Sequence, residues 1–355
     1  MSRFLKKQYQ NLEPYTPGEQ PKNQKLIKLN TNENPFGPSP RAAAVISSGE
    51  VSKLMLYPDP EASELTTAIA QYYNLEKEQV AVGNGSDEIL AFSFMAYASE
   101  GSNIWFPDPS YGFYKVYADI YRSKAGPIPL TEDLRIDPKK YKNLNGTILI
   151  ANPNAPTGIA LNLNDIEDII ASNSSNLVII DEAYIDFGAK SCVPFLQKYD
   201  NLLVIQTFSK SRSLAGARVG FAMGSKELIS DLNRIKFSFN PYNLNRLSIS
   251  AAAAAIRDEA YFQQTRQTII KTRETFTKQL KELGFTVLPS SANFVFAKSS
   301  RLSGEEYFHG LRERNILVRY FGKEPISDYV RITIGREEDM EQLIFATKEL
   351  LGKGN

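Results

Sequence analysis

Short apolar runs alternate with helix-like segments along roughly the first 250 residues of the chain. We interpret six of these runs as strands: QVAV (79–82), NIWF (103–106), TILIA (147–151), NLVII (176–180), LLVIQ (202–206) and VGFAM (219–223). The segments between them, such as SDEILAFSFMAYAS, carry apolar residues at helical spacing. This alternation predicts an α/β fold with a mostly parallel central sheet and helices on both faces.

The pattern changes in the last third of the chain. Residues 259–284 form one long charged segment, which predicts a helix ended by Gly284, and shorter strand and helix patterns follow it. We therefore predict two regions. A large α/β domain spans 46–258, and a smaller α+β domain combines the N-terminal segment 1–45 with 259–355.

Polar, glycine-rich or aromatic residues directly follow five of the predicted strands. These segments are GNGSDE (83–88), PDPSYGFY (107–114), NPNAPTG (152–158), DEAY (181–184) and TFSK (207–210). In open α/β sheets, ligands bind beyond the carboxyl ends of the strands, where loops and helix N-termini meet. We therefore expect one composite pocket at that edge of the sheet.

The turn at 83–88 predicts an anion site, because its glycines leave backbone N–H groups accessible at a helix start. A glycine-rich turn is also common as a tight turn without a ligand, so this motif alone is weak. An arginine and two hydroxyl groups after a later strand suit the same anion, and phosphate fits them. The candidate groups are the backbone of Gly85, Ser86 and Asp87 and the side chains of Thr207, Ser209 and Arg218.

Asp181 and Lys210 indicate the chemistry of this pocket. Asp181 ends an apolar strand, and a buried carboxylate needs a cation or hydrogen-bond donors, although a structural ion pair explains that residue equally well. Lys210 places an amine beside the anion site, which suits a Schiff base with an aldehyde cofactor. Pyridoxal phosphate needs such a lysine, a carboxylate for its ring nitrogen, donors for its phosphate and an aromatic face, for which Tyr111 is the candidate.

Composition narrows the alternatives. The formal charge is +1, from 41 basic and 40 acidic residues, so we expect no nucleic-acid partner, and no apolar run is long enough for a membrane span. The N-terminus lacks the apolar core of a secretion signal, and we expect a cytoplasmic protein. Since Cys192 and His309 are the only cysteine and histidine, we predict no metal site and no Ser-His-Asp triad.

The sequence resembles the fold-type I pyridoxal-phosphate-dependent aminotransferases, and within them the histidinol-phosphate aminotransferase family. The resemblance extends over nearly the whole chain. It rests on PYTPGEQP (14–21), LIKLNTNENPFGPSP (26–40), YPDP (57–60), GNGSDE (83–88), NPNAPTG (152–158), DEAYIDF (181–187), TFSKSRSLAGARVGF (207–221) and VRITIG (330–335). It implies amino transfer between L-histidinol phosphate and 2-oxoglutarate, giving imidazole-acetol phosphate and L-glutamate, in histidine biosynthesis.

The resemblance also implies roles around the cofactor ring. Lys210 would bond to the cofactor and carry a proton between the substrate Cα and the cofactor C4′. Asp181 would keep the ring nitrogen protonated, Tyr184 would bond the ring hydroxyl, and Tyr111 would stack on the ring.

Further implied roles concern the cofactor phosphate and the substrate. The phosphate would be bound by the backbone at Ser86 and Asp87, by Ser209 and Arg218, and by Tyr57 of the neighbouring subunit, which implies a homodimer with shared sites. Arg331 would grip the substrate carboxylate, Arg319 the phosphate end of histidinol phosphate, and Tyr15 would line the substrate pocket.

The chain departs from the family pattern at Ala155. Most relatives have an asparagine there, whose amide donates to the ring hydroxyl, and alanine has no such donor. Either Asn154 takes its place or Tyr184 makes that bond alone, and Asn154 is the candidate.

Other functions remain open from the sequence. GNGSDE begins like the dinucleotide-binding pattern of nicotinamide dehydrogenases, but Glu88 stands where the third glycine belongs, and this interpretation leaves Lys210 and Asp181 without a role. A regulator built on the same fold is a further alternative. Aromatic amino acid aminotransferases and threonine-phosphate decarboxylase share the core motifs, and the aromatic segment SYGFYKVY (110–117) is compatible with an aromatic substrate.

Overall fold

The computed structural model describes residues 2–20, 26–47 and 50–352, and its helices and strands alternate as expected. The helices are α1 (Pro40–Ser47), α2 (Ser63–Tyr73), α3 (Ser86–Tyr97), α4 (Phe113–Tyr121), α5 (Leu163–Ser172), α6 (Lys226–Phe239), α7 (Arg246–Arg257), α8 (Glu259–Glu282), α9 (Gly304–Glu313) and α10 (Glu337–Leu350). The strands are β1 (Ile27–Lys28), β2 (Val80–Gly83), β3 (Asn103–Asp108), β4 (Lys124–Pro129), β5 (Thr147–Ala151), β6 (Val178–Asp181), β7 (Leu202–Thr207), β8 (Gly220–Met223), β9 (Phe285–Val287), β10 (Phe294–Ser299), β11 (Ile316–Leu317), β12 (Arg319–Tyr320) and β13 (Val330–Thr333).

A seven-stranded sheet in the order β2-β8-β7-β6-β5-β3-β4 forms the centre of the larger region. All strands except β8 run parallel, which confirms the predicted α/β fold. Each of the six predicted strands is present. The edge strand β4 was not predicted, because its sequence KAGPIP contains two prolines and no apolar run. Proline is tolerated at a sheet edge, where a backbone donor is not required on the outer side.

Successive residues of the central strands enter two different hydrophobic cores. Ile148 and Ile150 of β5 pack in the core shared with α2, α5 and α7. Leu149, between them, packs in the core shared with α3, α4 and α6. Side chains alternate between the two faces of a strand, so a continuous apolar run such as TILIA is buried only when helices cover both faces.

The parallel arrangement brings the carboxyl ends of β2, β3, β5, β6 and β7 to one edge of the sheet. The antiparallel strand β8 starts at this same edge, immediately after the segment that carries Arg218. Gly220 permits close contact there, because a Cβ atom at this position would lie 2.2 Å from the backbone nitrogen of Ser86. The anion turn therefore packs directly against the start of β8.

A smaller region contains the antiparallel sheet β12-β13-β10-β9, which packs with α8, α9 and α10 around a separate core. The parallel pair β1–β11 connects the N-terminal segment to this region. The domain limits at 45/46 and 258/259 stay a prediction, and the outermost limits, residues 1 and 355, lie outside the described residues. In the part of the chain described, no helix has both the length and the apolar character needed to span a bilayer.

Candidate active site

The anion turn lies at the N-terminus of α3, where the first backbone N–H groups have no partner within the helix. Gly85 has φ +85°, and a Cβ atom there would lie 2.4 Å from Nη2 of Arg218, so the guanidinium packs across this glycine. Nη2 of Arg218 also donates to Oδ2 of Asp87 over 3.0 Å. Nearby, the Thr207 hydroxyl donates to Oγ of Ser209 over 3.0 Å, so the two hydroxyls after β7 form a connected pair.

Asp181 is a buried carboxylate at the end of β6, with 5% of its surface exposed. It accepts hydrogen bonds from the Tyr114 hydroxyl (2.7 Å) and from the backbone N–H of Ala183 (3.2 Å). Among the described residues, it forms no ion pair with a lysine or arginine. Burial raises the pKa of Asp181 to about 6, because the charged form loses its hydration, while the two hydrogen bonds oppose this rise.

Lys210 follows β7 in the loop that also carries Ser209. Its Nζ donates to the backbone oxygen of Thr31 over 3.2 Å and lies 5.6 Å from the centroid of the Tyr184 ring. Burial is the main cause that lowers the pKa of Lys210 to about 8, and the positive charge of Arg331 acts in the same direction. About a tenth of this amine is therefore uncharged and nucleophilic at pH 7, far more than for a lysine of ordinary pKa.

Two tyrosines of the candidate site are held by specific partners. The Tyr184 oxygen accepts a hydrogen bond from Nδ2 of Asn32 over 2.9 Å, and its ring meets Phe294 edge-on at 5.1 Å. The Tyr111 hydroxyl donates to Oδ1 of Asp87 over 2.8 Å. Burial raises the pKa of both phenols, so both remain protonated and able to donate a hydrogen bond at neutral pH.

Arg331 is a cation without a carboxylate partner among the described residues. Its Nη2 donates to the backbone oxygen of Asn30 over 3.1 Å, whereas its Nε is buried without a hydrogen-bond partner. The guanidinium lies over the rings of Phe294 (5.3 Å) and Phe321 (5.6 Å). A buried N–H donor of this kind needs an acceptor, and an oxygen of a bound anion would satisfy it.

Arg319 and Tyr15 lie beside Arg331. The three residues form one side of the candidate site, which we call the substrate wall. Arg319 is directly opposite Arg331 in the β12–β13 pairing, and its guanidinium donates to the backbone oxygen of Thr16 over 2.9 Å. This bond holds the segment that carries Tyr15. The Tyr15 ring stacks on Phe113 at 4.4 Å and contacts the Tyr111 ring edge-on at 6.0 Å, which gives this wall an aromatic surface.

The side-chain amide of Asn154 makes all its hydrogen bonds within the chain. Its Oδ1 accepts from the Ser110 hydroxyl (2.7 Å), and its Nδ2 donates to the Pro109 oxygen (3.2 Å) and the Thr157 hydroxyl (3.3 Å). With 1% of its surface exposed, the residue has no unused donor to offer. Its predicted role at the cofactor is untested, and these contacts weigh against it because the amide would have to give up existing bonds.

Tyr57 differs from the other candidate residues in its exposure. Its side chain is 78% exposed and stacks on Tyr242 at 4.6 Å. The neighbouring exposed apolar side chains of the described residues are Val51, Leu54, Met55 and Leu56. The phenol is therefore accessible from outside the subunit, on an apolar surface.

Sequence reasoning missed several residues that contact this cluster. Tyr114 contacts Asp181, and the segment Thr31–Asn34 contacts both Tyr184 and Lys210. Tyr114 follows Tyr111 by one helical turn, which is a usable signal. The asparagines at 32 and 34 precede a proline in a polar run, but nothing local indicates that they reach residues about 150 and 176 positions away.

Comparison with known proteins gives this arrangement a family. Residues 24–346 match the pattern of the family described as aminotransferase class I and II. The chain belongs to this family. It is 52% identical to histidinol-phosphate aminotransferase 1 of Hydrogenovibrio crunogenus over 355 residues, which is the full length of both chains.

Solved structures of histidinol-phosphate aminotransferases share the fold. The histidinol-phosphate aminotransferase of Clostridium acetobutylicum superposes with a TM-score of 0.85 at 26% identity, covering 92% of this chain and 99% of that one. The enzyme of Sinorhizobium meliloti, solved in complex with pyridoxal-5'-phosphate, superposes with a TM-score of 0.84 and covers 93% of this chain and 92% of its own. At 23% identity, this second likeness shows the fold alone.

Proposed function

We propose that this aminotransferase moves an amino group between L-histidinol phosphate and 2-oxoglutarate, with pyridoxal 5'-phosphate as cofactor. The products are imidazole-acetol phosphate and L-glutamate, which places the enzyme in histidine biosynthesis. The main support is the meeting of Lys210, Asp181, Tyr184 and Arg218 at one sheet edge, in a chain 52% identical over its full length to a histidinol-phosphate aminotransferase.

The residues at this edge fit the cofactor. Asp181 is a buried carboxylate that lacks a cationic partner among the described residues, and a protonated ring nitrogen supplies such a partner. Gly85 leaves room for the Arg218 guanidinium and Gly220 for the backbone of Ser86, beside the N-terminus of α3, where N–H groups and Arg218 would stabilise a phosphate. Lys210 supplies an amine of lowered pKa for the aldehyde.

Each residue then has a chemical task. Pyridoxal phosphate, when bound, supplies an aldehyde carbon that accepts amino groups and a ring that withdraws electrons. Lys210 would hold the cofactor through that carbon, and its amine would carry the proton at the substrate Cα. Asp181 would keep the ring nitrogen charged, Tyr184 would donate to the ring hydroxyl, and Tyr111 would offer the ring an aromatic surface.

The three residues of the substrate wall, Arg331, Arg319 and Tyr15, form the proposed substrate site. Arg331 carries a buried Nε without a partner, which suits the carboxylate of glutamate and 2-oxoglutarate. Histidinol phosphate has no carboxylate, and its anionic end is a phosphate, which we assign to Arg319. Tyr15, stacked on Phe113, offers an aromatic surface to the imidazole ring.

We also propose a homodimer in which Tyr57 completes the phosphate site of the neighbouring subunit. An exposed phenol on an apolar surface supports this arrangement, since large exposed apolar patches mark interaction surfaces. Light scattering should give the mass of two chains. Mixing Lys210→Ala protein with Tyr57→Ala protein, each impaired alone, should restore part of the activity, because the mixed dimer contains one intact site. Lack of restoration in confirmed mixed dimers would contradict a shared site.

Steady-state kinetics test the substrate assignment. Values of kcat/KM should be compared for L-histidinol phosphate, L-phenylalanine and L-threonine phosphate with 2-oxoglutarate as acceptor, and decarboxylation of threonine phosphate should be followed separately. Histidinol phosphate should exceed phenylalanine by at least about 100-fold, the effect of one charge-assisted hydrogen bond to the substrate phosphate. The aromatic wall of Tyr15 and Phe113 also suits phenylalanine, and a preference for phenylalanine would replace the assignment with an aromatic amino acid aminotransferase.

A further inference from the structure

Asn32 connects the proposed cofactor site to the proposed substrate wall. It is 1% exposed, and its Nδ2 donates to the Tyr184 hydroxyl oxygen over 2.9 Å. Its Oδ1 accepts from the Thr333 hydroxyl over 3.0 Å, and its backbone N–H donates to the oxygen of that hydroxyl, also over 3.0 Å. Thr333 lies two residues after Arg331 on β13, so the two side chains share one face of the strand.

These contacts determine which way the Asn32 amide points. Oγ1 of Thr333 accepts the backbone N–H of Asn32, so its own hydrogen is available for Oδ1 of Asn32. The amide oxygen therefore faces Thr333 and the amide nitrogen faces Tyr184. Since Nδ2 is a donor only, the Tyr184 oxygen must accept at this contact. The hydrogen of the Tyr184 hydroxyl then remains free to donate elsewhere.

The direction of the Tyr184 hydrogen matters because residue 155 is alanine. This residue is buried with Ala292 and Phe294, and Tyr184 packs against the same group. Alanine offers no side-chain donor, and the amide of its neighbour Asn154 is occupied within the chain. Tyr184 is thus the described side chain best placed to donate to the ring hydroxyl, and its orientation matters more than if a second donor were present.

We infer that Asn32 is a positioning residue, which holds the Tyr184 hydroxyl so that its hydrogen is directed at the cofactor ring hydroxyl. This inference rests on the proposed function and deepens it. The backbone at residue 32 suits asparagine, because its φ of +56° lies in the left-handed region that asparagine tolerates better than most residues. Nδ2 of Asn293 also donates to the Asn32 backbone oxygen over 2.9 Å, which fixes the segment.

Two substitutions separate an orienting role from a space-filling role. Asn32→Asp keeps the size and the acceptor for Thr333, but it places an acceptor opposite Tyr184, so the Tyr184 hydrogen turns towards residue 32. Asn32→Gly removes the side chain and tolerates the positive φ, while the Tyr184 hydrogen stays free. If Asn32 orients the Tyr184 hydroxyl, Asn32→Asp should therefore lose more affinity for the cofactor than Asn32→Gly. A space-filling role gives the reverse order, since Gly leaves a cavity and Asp does not.

The measurement is the affinity of the apoenzyme for pyridoxal phosphate, together with the absorbance spectrum of the bound cofactor as a function of pH. We expect about a tenfold loss of affinity for Asn32→Asp, of the size of one hydrogen bond, and a smaller loss for Asn32→Gly. The Asp variant should also shift the pH dependence of the spectrum. Thermal melting of the apoenzymes identifies any variant that fails to fold.

A double-mutant cycle with Tyr184→Phe decides whether Asn32 acts through Tyr184. In the Tyr184→Phe background, Asn32→Asp should change the affinity less than about twofold. An equal loss in both backgrounds, or a larger loss for Gly than for Asp, would overturn the inference while leaving the proposed function intact. Failure of the folded wild-type protein to bind pyridoxal phosphate would instead overturn the proposed function, and this inference with it.

Discussion

Tyr114 donates its hydroxyl hydrogen to Oδ2 of Asp181 across 2.7 Å, and both side chains are buried. The bond stabilises the ionised carboxylate from the side of α4. It opposes the rise in pKa that burial imposes on Asp181. In the proposed site, this contact helps to keep a negative charge opposite the ring nitrogen of the cofactor.

Replacing Tyr114 with phenylalanine should raise the pKa of Asp181 above its present value of about 6. More of the carboxyl is then protonated in the neutral range, so the affinity for pyridoxal phosphate should fall by about tenfold near pH 6.5 and by less at higher pH. Binding titrations across pH check this. Tyr121→Phe makes the same chemical change at the end of α4 and should keep the wild-type pH profile. A uniform loss at every pH would contradict the role of the Tyr114 bond.

Lys210→Ala should lower turnover by at least about 10⁴-fold, because a covalent catalyst is lost and no other described amine has the same position. The fold should survive, since Lys210 lies in a loop outside the three main hydrophobic cores. Mass spectrometry after borohydride reduction should find the cofactor on Lys210 in the wild type and on no residue in the variant. Lys198→Ala, at an exposed lysine, is the matched control. Adduct formation at another lysine would refute the assignment.

Capture of pyridoxal phosphate by the apoenzyme should accelerate as the pH rises towards 8. Only the uncharged amine attacks an aldehyde, and the pKa of Lys210 is about 8, so the rate should rise about tenfold per pH unit below that value and then level off. Arg331 lowers this pKa, so Arg331→Gln should move the midpoint to higher pH. Stopped-flow absorbance measures both profiles. An unchanged or lowered midpoint in the variant would contradict the electrostatic coupling.

Arg331→Gln and Arg319→Gln should separate the two substrates. Arg331→Gln should lower kcat/KM for glutamate by about 100-fold, since a charge-assisted bond to the carboxylate is lost. Arg319→Gln should act mainly on histidinol phosphate, because it removes the positive charge assigned to the substrate phosphate. Both half-reactions can be followed separately by cofactor absorbance. Equal losses for both substrates in both variants would refute the division of roles.

Gly85→Ala tests the anion turn. An added Cβ would meet Nη2 of Arg218 at 2.4 Å, and alanine is strained at φ +85°, so we expect a loss of about 1–3 kcal/mol in stability and weaker phosphate binding. Gly101→Ala has a similar φ of +81° with no atom within 4 Å and isolates the strain. Denaturant unfolding and binding of pyridoxal phosphate measure the two effects. Equal binding of the cofactor by both variants would show that contact with Arg218 is unimportant.

The local pattern of apolar and polar residues was sufficient to predict much of the fold. The apolar runs that became β5, β6 and β7 are recognisable because a strand covered by helices on both faces must be apolar at every position. The long helix α8 and its end at Gly284 also follow from local sequence, since the glycine adopts φ +94°. The edge strand β4 was missed because an edge strand with prolines has no such signature.

The sequence by itself determined the main elements, the sheet edge that carries the polar residues, and the residue types suited to one cofactor. Only the tertiary structure decided how Asp181, Tyr184 and Lys210 are supported, because their partners Tyr114, Asn32 and Thr31 come from distant segments. Hydrophobic periodicity indicates which face of a helix or strand is buried, but it does so for one element at a time. A hydrogen bond between distant segments depends on how two elements pack against each other. The sequence of either segment alone does not show this packing.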